Sequence, residues 1–394
     1  MSTMVDATPE LTDFRASVRT LVRSSFLDTY HERSKGTQYP YDSLKTLGDN
    51  GLLGLLVPEE HGGQGAGLQA LGIACEETAY ADSSCAYPVF AHNVMADMLI
   101  KFAAPEVVKR WLGPLLAGEA VCAIALTEPG SGSDAQALTT KAVPVDGGWE
   151  LSGEKTSITQ APDADVTVVV ARESDSGRIS AFVMDMDQPG VSTHRFEDPG
   201  FRPTGRGSIA MDRAFVPDTH RLGEGGKGFA MIMQEFDLTR TLIAFMALGL
   251  AHKALDMTIE YVQQRHTFGR PLTHYQGVTF PIAEHLTHLT AVRALATRAL
   301  EDREAGRAHT VEAAMLKWWA PQVAFQTVQD CVVLHGHVGW SEDLPLQSIL
   351  RDVSNFQIGD GTAQIQKLII ARSIFGRQVM ADSGPTTATT QENS

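Results

Sequence analysis

Residues 143–151 read Val-Pro-Val-Asp-Gly-Gly-Trp-Glu-Leu, and this stretch decides the fold class of the 394-residue chain. The central Asp146-Gly147 pair readily adopts the positive φ angles of a tight two-residue turn. Apolar residues stand on both sides of that pair, in the pattern of two short strands. The stretch therefore predicts a β-hairpin.

Strand-like patterns continue after the hairpin. Residues 166–170 form an unbroken β-branched run, and residues 179–186 alternate apolar with other side chains. Prolines and glycines punctuate the chain as far as Gly228, which favours short strands joined by turns. We predict a mostly antiparallel β domain over residues 121–225.

Helical periodicity replaces the strand pattern on both sides of this domain. Four long segments with short breaks follow it, and that arrangement is typical of an antiparallel helix bundle. The segments before the β domain are 11–22, 41–47, 70–81, 94–102 and 105–116; those after it are 229–265, 280–305, 311–334 and 362–375, with breaks at 269–271, at Gly306 and across 335–361.

The order of these patterns predicts an α+β protein that is mainly α. We expect an N-terminal helical domain over residues 1–120, the middle antiparallel β domain over 121–225 and a C-terminal helical bundle over 226–381. Residues 382–394 are small and polar, so we expect a disordered tail there.

Composition excludes several classes of protein. A net charge of −15 argues against general affinity for nucleic acid. No apolar stretch approaches the roughly 20 residues of a membrane helix, and residues 1–10 lack the pattern of a signal peptide. The four cysteines are scattered and form no Cys-x-x-Cys pair, so we expect buried, reduced thiols and no metal site. These features predict a cytoplasmic protein.

Four segments carry residues suited to binding and catalysis. Residues 125–134 read Ala-Leu-Thr-Glu-Pro-Gly-Ser-Gly-Ser-Asp, a loop of small and hydroxyl residues that lets backbone amides approach a ligand. Alone, this loop favours a purely structural turn over a binding role, and it is not a phosphate-binding Walker loop. The others are Gly-Glu-Lys-Thr-Ser-Ile-Thr at 153–159, Arg-His-Thr-Phe-Gly-Arg-Pro at 265–271, and Gly-Asp-Gly-Thr-Ala-Gln-Ile-Gln at 359–366.

In this order and spacing, the four segments resemble the acyl-CoA dehydrogenase family, from Leu11 to Gly376. The resemblance implies that family's fold of N-terminal helices, middle antiparallel β domain and C-terminal four-helix bundle. It also implies FAD as cofactor, with flavin accepting a hydride from the β-carbon of an acyl-CoA thioester.

The resemblance assigns cofactor contacts to specific positions. Thr159 matches a donor to the flavin N5 region, and the 265–276 segment matches one that reaches FAD of a neighbouring subunit. Some of these residues also suit plain structural roles: Arg265 a surface turn, Phe268 the core, Thr362 a helix N-cap, and Gly336 a helix break. The residues implied to bind FAD are Leu126, Thr127, Ser133, Ser157, Thr159, Arg265, Thr267, Phe268, Gln276, Gly336, Thr362 and Gln364.

Asp360 matches the catalytic base, which removes the weakly acidic α-proton of the thioester. Most relatives carry glutamate there, so the base of this chain is shorter by about 1.5 Å. Some relatives place the base at the position of Thr239, which cannot act as a carboxylate. The alternative for Asp360 is an acid at the start of a helix. The residues implied to contact the substrate are Ser133, Asp237, Arg240 and Gly361.

Ser157 is a second departure, because most relatives have a tryptophan packed against the flavin edge at that position. The acceptor implied by the family is electron-transferring flavoprotein, and the small side chain puts that partner in doubt. The expected contact of the 265–276 segment with a second subunit predicts a homo-oligomer, and the family suggests a tetramer.

The aspartate base and the residues around it resemble most the branch that acts on alicyclic substrates, such as cyclohexanecarboxyl-CoA dehydrogenase. Three alternatives stay open from the sequence. One is a nitroalkane oxidase-like flavoenzyme, which also uses an aspartate. The second is a dehydrogenase of acyl groups bound to a carrier protein, and the third is a flavin-binding protein without catalysis.

Overall fold

The structure is a computed structural model that describes residues 8–376, so the predicted tail at 382–394 lies outside the described residues. Its N-terminal part is helical, as the periodicity predicts. The helices are α1 (Pro9–Val22), which continues as a π-helical turn (Arg23–Leu27), α2 (Tyr30–Arg33), α3 (Tyr41–Asp49), α4 (Gly67–Ala81), α5 (Ser83–Phe102) and α6 (Pro105–Leu116).

Helix α5 begins earlier than the predicted segment at 94–102. The Asp82 side chain accepts a 2.8 Å hydrogen bond from the backbone N–H of Ser84 and so caps the new start. Pro88 lies inside the helix although it lacks an N–H. The Ser84 carbonyl, which a residue-88 amide would otherwise contact, accepts a 3.5 Å hydrogen bond from the Thr204 hydroxyl. This extension brings Tyr87 and its neighbours into the cavity described below.

The middle part is one eight-stranded sheet in the order β6-β7-β3-β2-β4-β5-β8, with β1 beside β4. The predicted hairpin is confirmed: β2 and β3 are antiparallel and meet at Val145 and Gly148. Most other pairings are antiparallel, but β4 runs parallel to both β1 and β2. The strands are β1 (Cys122–Ala125), β2 (Lys141–Val145), β3 (Gly148–Thr159), β4 (Val166–Glu173), β5 (Ile179–Asp185), β6 (Val191–Arg195), β7 (Arg206–Pro217) and β8 (Arg221–Leu222).

The β-branched run of β4 is explained by burial on both faces. Val166, Val168 and Val170 pack into a large core shared with the helices, whereas Val169 belongs to a smaller core within the sheet. Successive side chains of a strand point to opposite faces, so both sets of positions need apolar residues.

The C-terminal part contains the four long helices that the sequence predicts. One prediction was wrong: the break across 335–361 contains two further helices, because short amphipathic segments there pack against α9 and α7. The elements are α7 (Gly228–Gln264), a small hairpin of β9 (His266–Thr267) and β10 (Arg270–Pro271), α8 (Gln276–Glu304), α9 (Thr310–His335), α10 (His337–Trp340), α11 (Leu346–Asn355) and α12 (Ala363–Phe375). Short 3-10 turns lie at Glu59–His61, Ala135–Ala137, Asp218–His220 and Leu272–His274.

The expectation that no segment is long and apolar enough to cross a membrane is wrong for helix α7. By length and composition alone it passes that test, yet 78% of its most apolar window is buried inside the protein. It is the central helix of the fold and packs against α4, α8 and α9. The four cysteines are free and buried, as predicted.

Candidate active site

A cavity of about 310 Å³ lies where the helical parts meet the sheet. Helix α5 lines it with aromatic and aliphatic side chains, and the end of β1 and the loop after it form a second wall. The ends of β3 and α11, the turn before α12 and the first turns of α7 close the rest. Residues distant in sequence therefore share one space.

Eight of the residues that the sequence singled out line this cavity together. They are Leu126, Thr127, Ser133, Ser157, Thr159, Asp360, Gly361 and Thr362. The sequence analysis did not identify most of the remaining wall, which includes Tyr87, Phe90, Ala91, Val94, Gln160, Arg206, Phe236, Asn355 and Ile358. The sequence shows the helical periodicity of apolar residues in α5, but no neighbouring residue in the sequence indicates which face of the helix lines the cavity.

Asp360 lies on a sharp turn between α11 and α12. Its φ is +53° and that of Gly361 is +90°, so two successive residues adopt left-handed conformations. Aspartate tolerates this region better than most residues. The Gln366 side-chain amide donates to the carbonyl oxygens of Asp360 and Gly361, both at 3.1 Å, and Arg240 Nε donates to the Asp360 carbonyl at 3.4 Å.

Lys317 holds the same turn from α9. Its Nζ donates to the Phe356 carbonyl at 2.7 Å and to the Gly361 carbonyl at 3.4 Å, and its side chain is buried. Burial lowers the pKa of Lys317 to about 8, although attraction to Asp360 acts in the opposite direction. The turn that carries Asp360 is thus fixed through its backbone by three side chains.

The Asp360 carboxylate itself contacts helix α7. Thr239 donates a hydrogen bond of 2.8 Å from Oγ1 to Asp360 Oδ2. Among the described residues, this is the one side-chain hydrogen bond to that carboxylate. Thr239 is therefore a positioning residue for the carboxylate, although its own side chain cannot take up a proton.

Asp237 and Arg240, which the resemblance implied to contact substrate, lie beside this centre rather than among the described residues of the cavity wall. They pair with each other at 2.9 Å between Arg240 Nη1 and Asp237 Oδ1. Thr310 donates a 2.6 Å hydrogen bond to the other Asp237 oxygen. In this arrangement Arg240 supports the turn of Asp360.

A buried ion pair fixes the loop after β1. Lys155 Nζ lies 2.8 Å from Glu128 Oε1 and donates to the Leu126 carbonyl at 3.0 Å. The backbone N–H groups of Thr139 and Thr140 also donate to the Glu128 carboxylate, at 2.6 and 2.9 Å. Burial alone raises the pKa of Glu128, but these hydrogen bonds outweigh it and hold the pKa at about 2. The pair is therefore ionised.

Ser157 occupies an irregular part of β3. The register with β7 shifts between Lys155 and Ile158, and Ser157 itself has a φ of +61°. Its Oγ accepts a 2.7 Å hydrogen bond from Arg206 Nη1. The guanidinium of Arg206 thus lies next to the position at which the family resemblance implies a tryptophan in most relatives.

Tyr87 places a phenol in the same cavity. Burial raises the pKa of Tyr87, the negative charge of Asp360 raises it further, and a hydrogen bond with Thr159 acts in the opposite direction. The ring packs edge-on against Phe90, with centroids 5.2 Å apart. The phenol is protonated and near both Thr159 and Asp360.

The remaining predicted residues lie elsewhere. Arg265 caps the end of α7, Thr267 and Phe268 belong to the β9–β10 hairpin that follows, and Gln276 starts α8. Phe268 is 93% exposed. Gly336 ends α9 with a φ of +63°, and Gln364 is exposed in the first turn of α12. The structure of one chain does not bring these positions to the cavity wall.

The cavity residues fit an FAD. The hydroxyl residues Thr127, Ser133 and Thr159 provide neutral donors and acceptors on its wall. Gln160 is buried, and its side-chain oxygen has no hydrogen-bond partner among the described residues, so the wall also offers an acceptor. A Cβ added at Gly132 meets nothing within 4 Å, which leaves open space at the wall.

Three family models match the chain in sequence order. The model described as acyl-CoA dehydrogenase, N-terminal domain, matches residues 8–119. The middle-domain model of the same family matches residues 123–214, and the C-terminal-domain model matches residues 226–375.

Relatives and solved structures agree with these matches over most of the chain. An acyl-CoA dehydrogenase of Bacillus subtilis is 33% identical over 374 residues, which cover 94% of this chain and 99% of the relative. Benzylmalonyl-CoA dehydrogenase of Aromatoleum aromaticum is 34% identical over 339 residues, covering 85% and 90%. The structure of butyryl-CoA dehydrogenase from Megasphaera elsdenii is similar with a TM-score of 0.89 at 29% identity, covering 94% of this chain and 100% of that one.

Proposed function

Because the chain belongs to the acyl-CoA dehydrogenase family, it is an FAD-dependent oxidoreductase that acts on acyl-CoA thioesters, and we propose that its substrate is an alicyclic acyl-CoA of the cyclohexanecarboxyl-CoA type. The observation that carries the proposal is the aspartate at position 360, on the wall of the cavity, where most relatives have the longer glutamate.

A shorter base suits a substrate that is bulky at its α-carbon. The α-carbon of a cyclohexanecarboxyl group is part of the ring and is bonded to two ring carbons, and a base shorter by about 1.5 Å leaves space for them. The turn of Asp360 is fixed by Lys317, Arg240 and Gln366, so its backbone has little freedom to move inward. The side chains of Phe90, Phe236 and Ile358 supply an apolar surface for the ring.

The name of one relative fits this proposal. Benzylmalonyl-CoA dehydrogenase is named for an acyl group that carries a ring, and this relative is 34% identical over 85% of the present chain. That name supports a proposal in which the acyl group of the substrate contains a ring.

The residues of the chain have distinct tasks in this reaction. Bound FAD supplies the acceptor for the β-hydride. Asp360 takes the α-proton, while the Thr239 hydroxyl holds one carboxylate oxygen and leaves the other without a hydrogen bond among the described residues. The backbone N–H of Asp360 is the proposed donor to the thioester oxygen, on which negative charge develops as the proton leaves.

The proposal is tested by anaerobic titration of the purified yellow holoenzyme with cyclohexanecarboxyl-CoA. We expect the oxidised flavin band to bleach at about one equivalent of substrate, because the reaction transfers two electrons per thioester. Butyryl-CoA and octanoyl-CoA are the matched thioesters, and we expect bleaching at least tenfold slower with each. Equal rates with all three would overturn the alicyclic assignment and leave the family membership unchanged.

We also propose that the chain forms a homotetramer in which the β9–β10 hairpin completes the cofactor site of a neighbour. Large apolar side chains are exposed on the C-terminal helices and the hairpin, with Phe268 at 93%, Trp340 at 79% and Phe280 at 56%. Large apolar side chains that are exposed in a single chain are candidates for burial between subunits. Light scattering during size exclusion should give four times the chain mass, and a monomeric holoenzyme would contradict the proposal.

The proposed electron acceptor is electron-transferring flavoprotein. The family supports this partner, whereas Ser157 removes the bulky side chain that relatives have at the flavin edge. Reoxidation of the substrate-reduced enzyme by that flavoprotein, followed under anaerobic conditions, decides the point. Rapid reoxidation by oxygen and none by the flavoprotein would identify an oxidase instead.

A further inference from the structure

Strand register places Arg206 on the same face of the sheet as Thr159. The two residues are directly opposed in the antiparallel pair of β3 and β7. Directly opposed residues project to the same side of a sheet, and both side chains line the cavity. Arg206 thus lies on the cavity wall beside Thr159, the residue that is predicted to contact the flavin.

Two neighbours fix the orientation of the guanidinium. Asp198 accepts from Nε at 2.8 Å and from Nη2 at 2.6 Å, in a bidentate pair. Nη1, on the other side, donates to the Ser157 hydroxyl at 2.7 Å. The left-handed backbone of Ser157 and the register shift beside it bring that hydroxyl to Arg206.

In this arrangement, the Nη1 side of the Arg206 guanidinium, which contacts Ser157 at the cavity wall, keeps its positive charge. Arginine has five N–H donors, and these three hydrogen bonds use three of them, so one donor of Nη1 and one of Nη2 stay available. The Asp198 carboxylate neutralises the Nε–Nη2 edge, while the hydrogen-bond partner of the Nη1 edge within residues 8–376 is a neutral hydroxyl. Arginine keeps its charge throughout the working pH range.

We propose that Arg206 is a cofactor-contact residue that lies beside Ser157 at the flavin edge and stabilises the negative charge that FAD gains on reduction. A fixed charge close to the ring system is one of the means by which proteins tune a flavin. The inference concerns FAD alone and does not depend on which acyl-CoA is the substrate.

The test is the midpoint potential of the substrate-free holoenzyme, measured against indicator dyes during slow anaerobic reduction. In Arg206→Gln we expect the equilibrium constant for two-electron reduction to fall about tenfold, a shift of about 30 mV to lower potential. Arg206→Lys keeps the charge and should retain most of the wild-type potential. Asp198→Asn removes the neutralising carboxylate and should move the potential upward.

Arg213→Gln is the matched control. Arg213 lies on the same strand and pairs with Asp212 at 3.7 Å, but its side chain is 73% exposed and it is not part of the described cavity wall. The control should have the wild-type potential. A wild-type potential in Arg206→Gln would overturn the proposal, as would equal shifts in the Gln and Lys variants, which indicate a structural role. If Arg206→Gln loses FAD, an unchanged potential in Asp198→Asn overturns it.

Discussion

The hydroxyl of Thr239 donates a 2.8 Å hydrogen bond to Oδ2 of Asp360 and so joins the central helix of the protein to its proposed base. Thr239 is 2% exposed, and both residues line the cavity, so the hydrogen bond lies within the wall of the active site. By the family resemblance, the position of Thr239 corresponds to the one at which some relatives carry the base itself. In this chain, the same position supplies a donor that orients a carboxylate.

Thr239→Val removes this donor while keeping the shape of the side chain. We expect flavin reduction by substrate to slow about tenfold, because a hydrogen bond to a charged group contributes about 1.5 kcal/mol or more. FAD content should not change. Stopped-flow measurement of flavin bleaching gives the rate, and Thr239→Ser, which retains the hydroxyl, is the control. Equal rates in the Val and Ser variants would show that the hydroxyl has no part in catalysis.

Asp360→Asn should bind FAD normally and lose flavin reduction by substrate. Asparagine tolerates the left-handed φ of +53° well, so the turn should keep its conformation. Removal of a general base typically costs about 100-fold to 10,000-fold in rate. Single-turnover kinetics measure the loss, with Asp212→Asn on the exposed surface as control. A wild-type rate in Asp360→Asn would mean that another group takes the proton.

Glu128→Gln should destabilise the protein and weaken its hold on FAD. The variant leaves the Lys155 ammonium buried without its anionic partner, and breaking such a pair typically costs about 3 to 5 kcal/mol. The loop after β1 should also loosen, since Lys155 joins it to β3. Denaturant unfolding measures the stability. Glu224→Gln, in an exposed pair with Lys227, should leave the stability almost unchanged.

The Glu128 carboxylate also predicts a dependence of stability on pH. Its pKa is about 2 in the folded protein, below the ordinary value of 4.5, so its stabilising contribution is complete above pH 4.5. The contribution is lost as pH falls towards 2. The stability difference between wild type and Glu128→Gln should therefore be constant above about pH 5 and shrink below it. A difference that does not change between pH 5 and pH 3 would contradict this assignment.

Arg265→Ala should weaken FAD retention in the assembled protein. Arg265 is exposed in the single chain, as expected for a residue whose partner lies in another subunit. A guanidinium pairs with two phosphate oxygens at once, so the variant loses a charge-assisted contact. The FAD-to-protein ratio after gel filtration measures retention, with Arg213→Ala as control. A ratio of one in Arg265→Ala would argue against the shared site.

Much of the fold follows from local patterns. The Asp146-Gly147 turn, the β-branched run of β4 and the long periodic helices each have a short-range physical cause, and the structure contains all of them. The start of α5, which the sequence pattern predicted too late in the chain, also has a physical cause. Pro88 signals a break in sequence, whereas the cap by Asp82 and the contact of Thr204 with the Ser84 carbonyl let the helix continue through it.

The site was predictable only where a motif marks it. Asp360, Thr159 and the loop after β1 belong to contiguous motifs, but Arg206 and Tyr87 do not. Arg206 reaches the cavity through its strand register with Thr159, and Tyr87 does so through the packing of α5 against the sheet. Both are contacts between residues far apart in sequence, which a local pattern does not encode.

The turn of Asp360 has a further consequence for how such enzymes diverge. Lys317, Arg240 and Gln366 hold it through carbonyl oxygens alone, at Phe356, Asp360 and Gly361. Every residue type has that carbonyl, so replacing the side chain at position 360 leaves these hydrogen bonds intact. The scaffold therefore separates the chemistry of the base from the architecture that presents it, and natural variation or laboratory evolution can exchange a longer acid, a shorter one or a neutral residue there without rebuilding the surrounding fold.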